Sequence, residues 1–185
     1  MKRFHQLIKA ALPGLCRLRQ RVVHNDLNDN NILVSHDLRN PAVITAIDFG
    51  DAIKTALVHD LGIAAMYLPV GQQDPIAALL PFVKGYHSSV ALQAEELDYL
   101  YISVAIRLVI SLTKAAINQQ NEPENTYHQI STKGAWDLLQ KWAKINPDFA
   151  RYSFRQACGF SPGPQQQLFE TWAQRQTFKI SNLFF

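Results

Sequence analysis

The sequence predicts an α+β fold, mainly helical, with one small β-hairpin near its start. Two observations carry this prediction. Apolar residues recur at helical spacing from about residue 57 onward, and two short β-type runs flank a turn-rich hexapeptide, His36 to Pro41. A third observation, the crowding of aspartate around that hairpin, bears on what the fold holds.

Residues 3 to 20 have the periodicity of a helix, with Phe4, Leu7, Ile8, Ala11 and Leu15 on one face. Pro13 has no amide hydrogen and should kink or restart that helix. The runs Ile32 to Ser35 and Val43 to Ile47 then form the hairpin. Helices are expected at about 57 to 68, 75 to 88, 95 to 119, 127 to 144, 147 to 157 and 165 to 174. Gly159 to Pro164 reads as a loop, and Phe178 to Phe185 as extended. There is no internal repeat.

With 185 residues, 48% hydrophobic and 18% charged, the chain suits a single domain with a full core and does not read as disordered. The longest apolar run, Tyr99 to Leu112, is broken by Arg107 and falls short of the roughly 18 residues of a membrane span, so no membrane partner is expected. Cys16 and Cys158 lie far apart and form neither a zinc motif nor a disulfide framework, which fits a cytoplasmic location. Charge is uneven. Residues 1 to 23 hold six Lys and Arg and no acid, whereas 24 to 60 hold two bases against six Asp. The basic start lacks serine and a small-residue cleavage site, so it reads as a solvated or partner-facing helix rather than a transit peptide. The rest is nearly balanced, which argues against nucleic-acid binding.

The acidic stretch runs His24-Asn25-Asp26, then Asn31, the hairpin, and Asp48-Phe49-Gly50-Asp51. An antiparallel hairpin returns the chain to its starting end, so Asn31 and Asp48 should meet. Amide and carboxylate oxygens suit Mg²⁺, which takes few protein ligands and fills its shell with water and phosphate oxygens. Asp26, in the loop leading into the hairpin, would lie close enough to accept the proton of an attacking hydroxyl.

The run His24 to Val34, HNDLNDNNILV, followed by Ile47-Asp48-Phe49-Gly50-Asp51, resembles the HxDxxxxN and DFG-like motifs of the aminoglycoside phosphotransferase and choline kinase family, relatives of the protein kinases. Within that family the likeness is nearest to the hydroxylysine kinases and their bacterial relatives, some fused to aminotransferase domains, on HNDLNDNN, IDFGD and the run Phe154 to Gly159.

The resemblance covers nearly the whole chain and implies a protein-kinase-like C-terminal lobe. It implies a kinase that moves the γ-phosphate of ATP to a small-molecule hydroxyl, on an amino alcohol or hydroxy amino acid. Asp26 would be the base, Asn31 and Asp48 the Mg²⁺ ligands, His24 and Asp60 braces of the loop, and Asp51 a supporting residue near the metal. The single domain, 1–185, would divide into a leading helix (1–23), a catalytic and metal segment (24–60) and a helical subdomain (61–185). Phosphoryl transfer of this kind also uses a glycine-rich loop and a strand lysine from a β-rich N-terminal lobe. Only 23 residues precede His24, where five strands and their connections need about 60 or more. The N-terminal lobe is therefore expected to be missing, with a separate lobe or a homodimer partner as its substitute, and ATP binding by this chain alone is expected to be weak.

Two rival readings follow from the same residues. His59-Asp60 with His24 could form a metal-dependent phosphohydrolase site, although such ligands belong on facing helices and His24 follows a β-type run. Alternatively, the fold is a non-catalytic relic or interaction module. Ser103, Arg107, Ser111, Lys114 and Asn118 make one polar stripe on the helix 95 to 119, expected to be a solvated face. On the sharper reading, Arg107 holds the carboxylate of an amino-acid substrate. Trp136, Trp142, Trp172 and both cysteines are expected in the core.

Overall fold

The computed structural model describes residues 2–37, 39–121, 127–161, 163, 165 and 166, without the side chains of 2 and 127–131. The helix expected at 165 to 174, the extended end and Trp172 lie outside these residues, apart from 165 and 166. The chain runs α1 (Lys2–Leu15), β1 (Gln20–Val23), β2 (Ile32–Val34), β3 (Val43–Ala46), β4 (Ile53–Ala56), α2 (Leu57–Tyr67), α3 (Pro75–Ser89), α4 (Ala94–Asp98), α5 (Leu100–Asn121), α6 (Tyr127–Lys144) and α7 (Pro147–Ala157).

The helix borders follow local chemistry. Asp74 caps α3, its Oδ1 accepting from the Ile76 and Ala77 amides at 3.0 Å, and Pro75 occupies the first turn, where its missing N–H costs nothing. Asn146 and Pro147 start α7 in the same way. Gly159, at φ 77°, ends α7 by letting the Phe160 amide donate back to the Arg155 carbonyl. Pro13 lies inside α1 near its last turn, where its missing N–H disturbs only the end of the helix.

The expected hairpin is present as β2 paired antiparallel with β3. A second pair was not foreseen: β1 lies antiparallel to β4, with Val23 opposite Ile53, so the leading segment 1–23 is a helix followed by a strand. The expected helix 95 to 119 is likewise two helices. Tyr99 separates α4 from α5, and Gln93 and Glu96 close a capping box on the first turn of α4.

The core gathers the inner faces of α1 to α7 around α5. Gly62 lets α2 lie close against α5: a Cβ there would stand 2.7 Å from the Ser103 Cβ and 3.1 Å from backbone. Trp142 is fully buried, stacks on Tyr101 with centroids 5.2 Å apart, and donates to the Tyr101 carbonyl while the Tyr101 hydroxyl donates to its own. The Arg19 guanidinium grips the fully buried Glu96 carboxylate at two points, 2.9 and 3.0 Å. Arg155 does the same to Asp98, joining α7 to α4.

Two core assignments and one solvated-face assignment need correction. Trp136 is exposed, lying on the outer face of α6 away from Leu138, Leu139 and Trp142. Cys16 is exposed just past the end of α1, whereas Cys158 is half-buried and burial pushes its thiol pKa up. The polar stripe on α5 is only partly a solvated face: Ser103 is buried, Arg107 is half-buried, and Lys114 and Asn118 reach solvent. By length and composition α5 is also apolar enough to cross a membrane, despite Arg107. Its Leu100, Val104, Ala105, Leu108 and Leu112 are buried within the body, as in a core helix.

Candidate active site

The root of the hairpin holds the expected residues. Beyond the Ile32–Ala46 pair the ladder continues by one bond, from the Ile47 amide to the Asn31 carbonyl at 3.0 Å. Asn31 thus stands across from Ile47, and Asp48 follows immediately. The His24 ring is buried against Phe49, with centroids 4.7 Å apart. Its Nδ1 accepts from the Asp26 amide at 3.4 Å, which leaves the proton on Nε2 to be donated to the Ile47 carbonyl at 2.8 Å. His24 therefore ties the loop before β2 to the chain after β3.

The loop turns sharply at Asn25, whose φ of 65° is left-handed, a conformation asparagine tolerates better than most residues. Asp60, in the first turn of α2, holds that turn by accepting from the Asn25 amide at 3.4 Å.

Asp26 lies at the centre. Its Oδ2 accepts from the side-chain amides of Asn28 at 3.2 Å and Asn31 at 3.3 Å, and Asn31 also donates to the Asp26 carbonyl at 2.8 Å. Its Oδ1 is paired with Arg107 from α5. Asn28 was overlooked in the sequence, where it passes as one polar loop residue among several. It caps the single 3-10 turn Asp29–Asn31 through its Oδ1 and grips Asp26 with its Nδ2. An Asx residue immediately before a short helical turn is the signal that could have marked it.

Asp48 adopts a left-handed conformation, φ 61°, and opens a second 3-10 turn, Phe49–Asp51. Its exposed carboxylate makes no hydrogen bond or ion pair within the described residues. The Asn31 amide has turned its Nδ2 toward Asp26, which leaves Oδ1 uncommitted. An uncommitted amide oxygen on Asn31 and an unpaired carboxylate on Asp48, on the two chain segments that meet at the hairpin root, are a donor set whose chemistry fits a hard divalent cation. Asp51 ends the same turn and is exposed, with no bond to Asp26 or Asn31. Among the described residues no three His, Cys, Asp or Glu side chains group as a metal site; His24 Nε2 is committed to the Ile47 carbonyl and Asp60 to the Asn25 amide. The phosphohydrolase reading loses its ligand cluster.

Behind Asp26 a cleft of about 180 Å³ opens between β4, α2 and α5. Ile53, Ile63, Ile106 and Ile110 supply apolar wall, and Asn25, Thr55, His59, Ser103 and Arg107 supply polar groups. Burial pushes the His59 pKa below its ordinary value, so the ring is neutral at pH 7. Ser103, one turn before Arg107 on α5, was assigned to a solvated face and instead lines this cleft.

Residues 1–101, just over half of the chain, match the model of the phosphotransferase enzyme family. The chain is similar to hydroxylysine kinase of Mus musculus, 35% identical over 135 residues, covering 69% of this chain and 35% of the relative. It is similar to hydroxylysine kinase of Danio rerio, 31% identical over 152 residues, covering 80% of this chain and 43% of the relative. The Bos taurus enzyme is 33% identical over 74% of this chain and 38% of its own length. The chain thus spans about two fifths of these relatives. No solved structure matches.

Proposed function

Because the chain belongs to the phosphotransferase enzyme family, we propose that it provides the acceptor and metal side of a small-molecule kinase that phosphorylates a hydroxyl of an amino alcohol or hydroxy amino acid, hydroxylysine being the leading candidate. The observation that carries this reading is the joining of Asp26, Asn31 and the Asp48 turn at one hairpin root, through the Asn31 amide on the Asp26 carbonyl and the Ile47 amide on the Asn31 carbonyl.

In this mechanism Asp26 positions the acceptor hydroxyl and takes its proton as the oxygen attacks the γ-phosphorus of ATP; the new O–P bond forms as the β–γ bridge breaks, and ADP leaves. Asn28 and Asn31 donate to Oδ2, which holds the carboxylate plane fixed during that transfer. Asn31 Oδ1 and the Asp48 carboxylate are the groups that would hold a divalent ion, Mg²⁺ on this reading. Held there, such an ion would supply positive charge to offset that of the transferred phosphate. His24 and Asp60 act through the loop rather than on the substrate. The complement expected from the family is a second lobe with a phosphate loop and a strand lysine.

Phosphate transfer from labelled ATP to hydroxylysine, measured on these 185 residues joined to the N-terminal portion of a hydroxylysine kinase, tests the reading. Asp26→Asn should lower turnover by about 10² or more while nucleotide affinity stays within a few-fold. Asp48→Asn should lower the affinity for the metal as well. Full turnover by the Asp26 variant would overturn the assignment and leave the relic or interaction reading in front.

A further inference from the structure

Among the described residues, three arginine–carboxylate contacts join distant parts of the fold, and they are not alike. Arg19 and Arg155 each bind their carboxylate through both Nε and Nη2, the two-point geometry that suits a guanidinium. Arg107 reaches Asp26 through Nη2 alone, and its Nε is buried with no hydrogen-bond partner among the described residues. One turn earlier on the same helix face, the Ser103 hydroxyl is also buried and unpartnered, in a side chain only 2% exposed. Both residues line the cleft behind Asp26, where Arg107 is the one charged residue among the described lining. A buried donor without an acceptor is costly, so two of them one helical turn apart in a cavity wall point to a missing acceptor.

We propose that Arg107 is a carboxylate-operated latch, resting on Asp26 while the cleft is empty and transferring to the carboxylate of an entering acceptor, which the Ser103 hydroxyl also binds. Its meaning for catalysis rests on the phosphotransfer reading of Asp26. With Arg107 in place, Asp26 Oδ1 is engaged by a cation and Oδ2 by two amides, so both oxygens are occupied before any hydroxyl arrives. A ligand carboxylate offers the guanidinium the two-point contact it lacks, and its arrival frees Oδ1 to face the acceptor hydroxyl. Because His59 is neutral and four isoleucines line the wall, the cleft discriminates by one anionic group on an otherwise small, partly apolar molecule. At about 180 Å³ it lies below the roughly 300 Å³ at which drug-sized pockets begin, which suits a single amino acid. An amino alcohol without a carboxylate would enter without releasing the base, so the latch selects amino acids from the wider acceptor class.

The test needs no turnover. L-lysine, which has a carboxylate and no hydroxyl to phosphorylate, and 1,5-diaminopentane, the same chain without the carboxylate, are titrated calorimetrically into the full 185-residue chain. Lysine should bind about 10-fold tighter or more, the scale of hydrogen bonds to a charged group. Arg107→Gln should abolish that preference, Arg107→Lys should restore part of it, and Ser103→Ala should reduce it by a few-fold. Asp26→Asn gives the sharpest outcome: with the competing carboxylate gone, lysine should bind a few-fold tighter than to the wild type. Equal affinities for the two probes, no lysine binding up to about 10 mM, or weaker lysine binding to the Asp26→Asn variant would each overturn the latch. Phosphate transfer that survives equal probe affinities removes the latch alone. Probe preference without transfer in the joined protein removes the kinase reading and leaves the carboxylate site.

Discussion

The helical body and the hairpin face are held together by different forces. In the body, Trp142, Phe154, Leu108 and Leu138 have almost no exposed surface, and polar groups such as Trp142 with Tyr101 and Arg19 with Glu96 are paired in place, the Ser103 hydroxyl and Arg107 Nε being exceptions. On the hairpin face, Val43 is 72% exposed, Ile44 64% and Phe49 62%, and two sheets of two strands each carry the backbone. A two-stranded hairpin with an exposed apolar side has little stability of its own. Here it is fastened at its root by directional bonds, from His24 to the Ile47 carbonyl, Ile47 to Asn31, and Asn31 to Asp26. Burial keeps the scaffold folded, whereas hydrogen bonds fix the geometry of the site.

That contrast can be broken from either side. Trp142→Ala empties the centre of the body and removes the indole bond to the Tyr101 carbonyl, leaving only the backbone carbonyl at 142 for the Tyr101 hydroxyl. It should cost about 3–5 kcal/mol in urea denaturation, enough to unfold a marginal domain. Asn31→Ala should cost less, about 1–3 kcal/mol, because one buried side chain and its bonds are lost. Its signature is local: amide exchange should quicken across residues 24 to 34 and 47 to 51, while α5 and α6 keep their protection. Exchange that quickened everywhere would mean that root and body unfold as one unit. Ile44→Thr, on the exposed side of β3, should change stability by no more than about 0.5 kcal/mol in the same urea experiment. A larger loss would show that the hairpin face contributes burial that its exposure does not reveal.

Much of this was legible in the sequence where the cause was local. Capping residues and prolines mark the starts of α3 and α7, and the turn residues from His36 to Pro41 define the hairpin. That Asn31 and the segment just before Asp48 come together could be read because hairpin geometry fixes what stands opposite what. The β1–β4 pairing escaped because it joins four-residue strands more than thirty residues apart, too short for a clear alternation. The solvated-face reading of the stripe fails at Ser103 and Arg107 for a related reason. A polar stripe on a 22-residue helix does not say which end enters the body, and α5 buries its first half and exposes its second. Trp136 was assigned by residue type, when the inward face of α6 was already filled by Leu138, Leu139 and Trp142.

The bonds around Asp26 also span very different lengths of chain, which bears on the order in which the site assembles. Asn31 closes on Asp26 across 5 residues, His24 on Ile47 across 23, and Asp60 on Asn25 across 35. Arg107 must come from 81 residues away. Loop-closure entropy grows with the logarithm of that separation, so the Arg107 contact costs about 2.5 kcal/mol more to close than the Asn31 contact in a flexible chain. During folding the catalytic loop and the hairpin root can form from nearby contacts, with the arginine arriving once α5 has docked. The site is thus shaped by the hairpin and completed by the helix, and the contact with the longest sequence reach is the single-point one on Asp26.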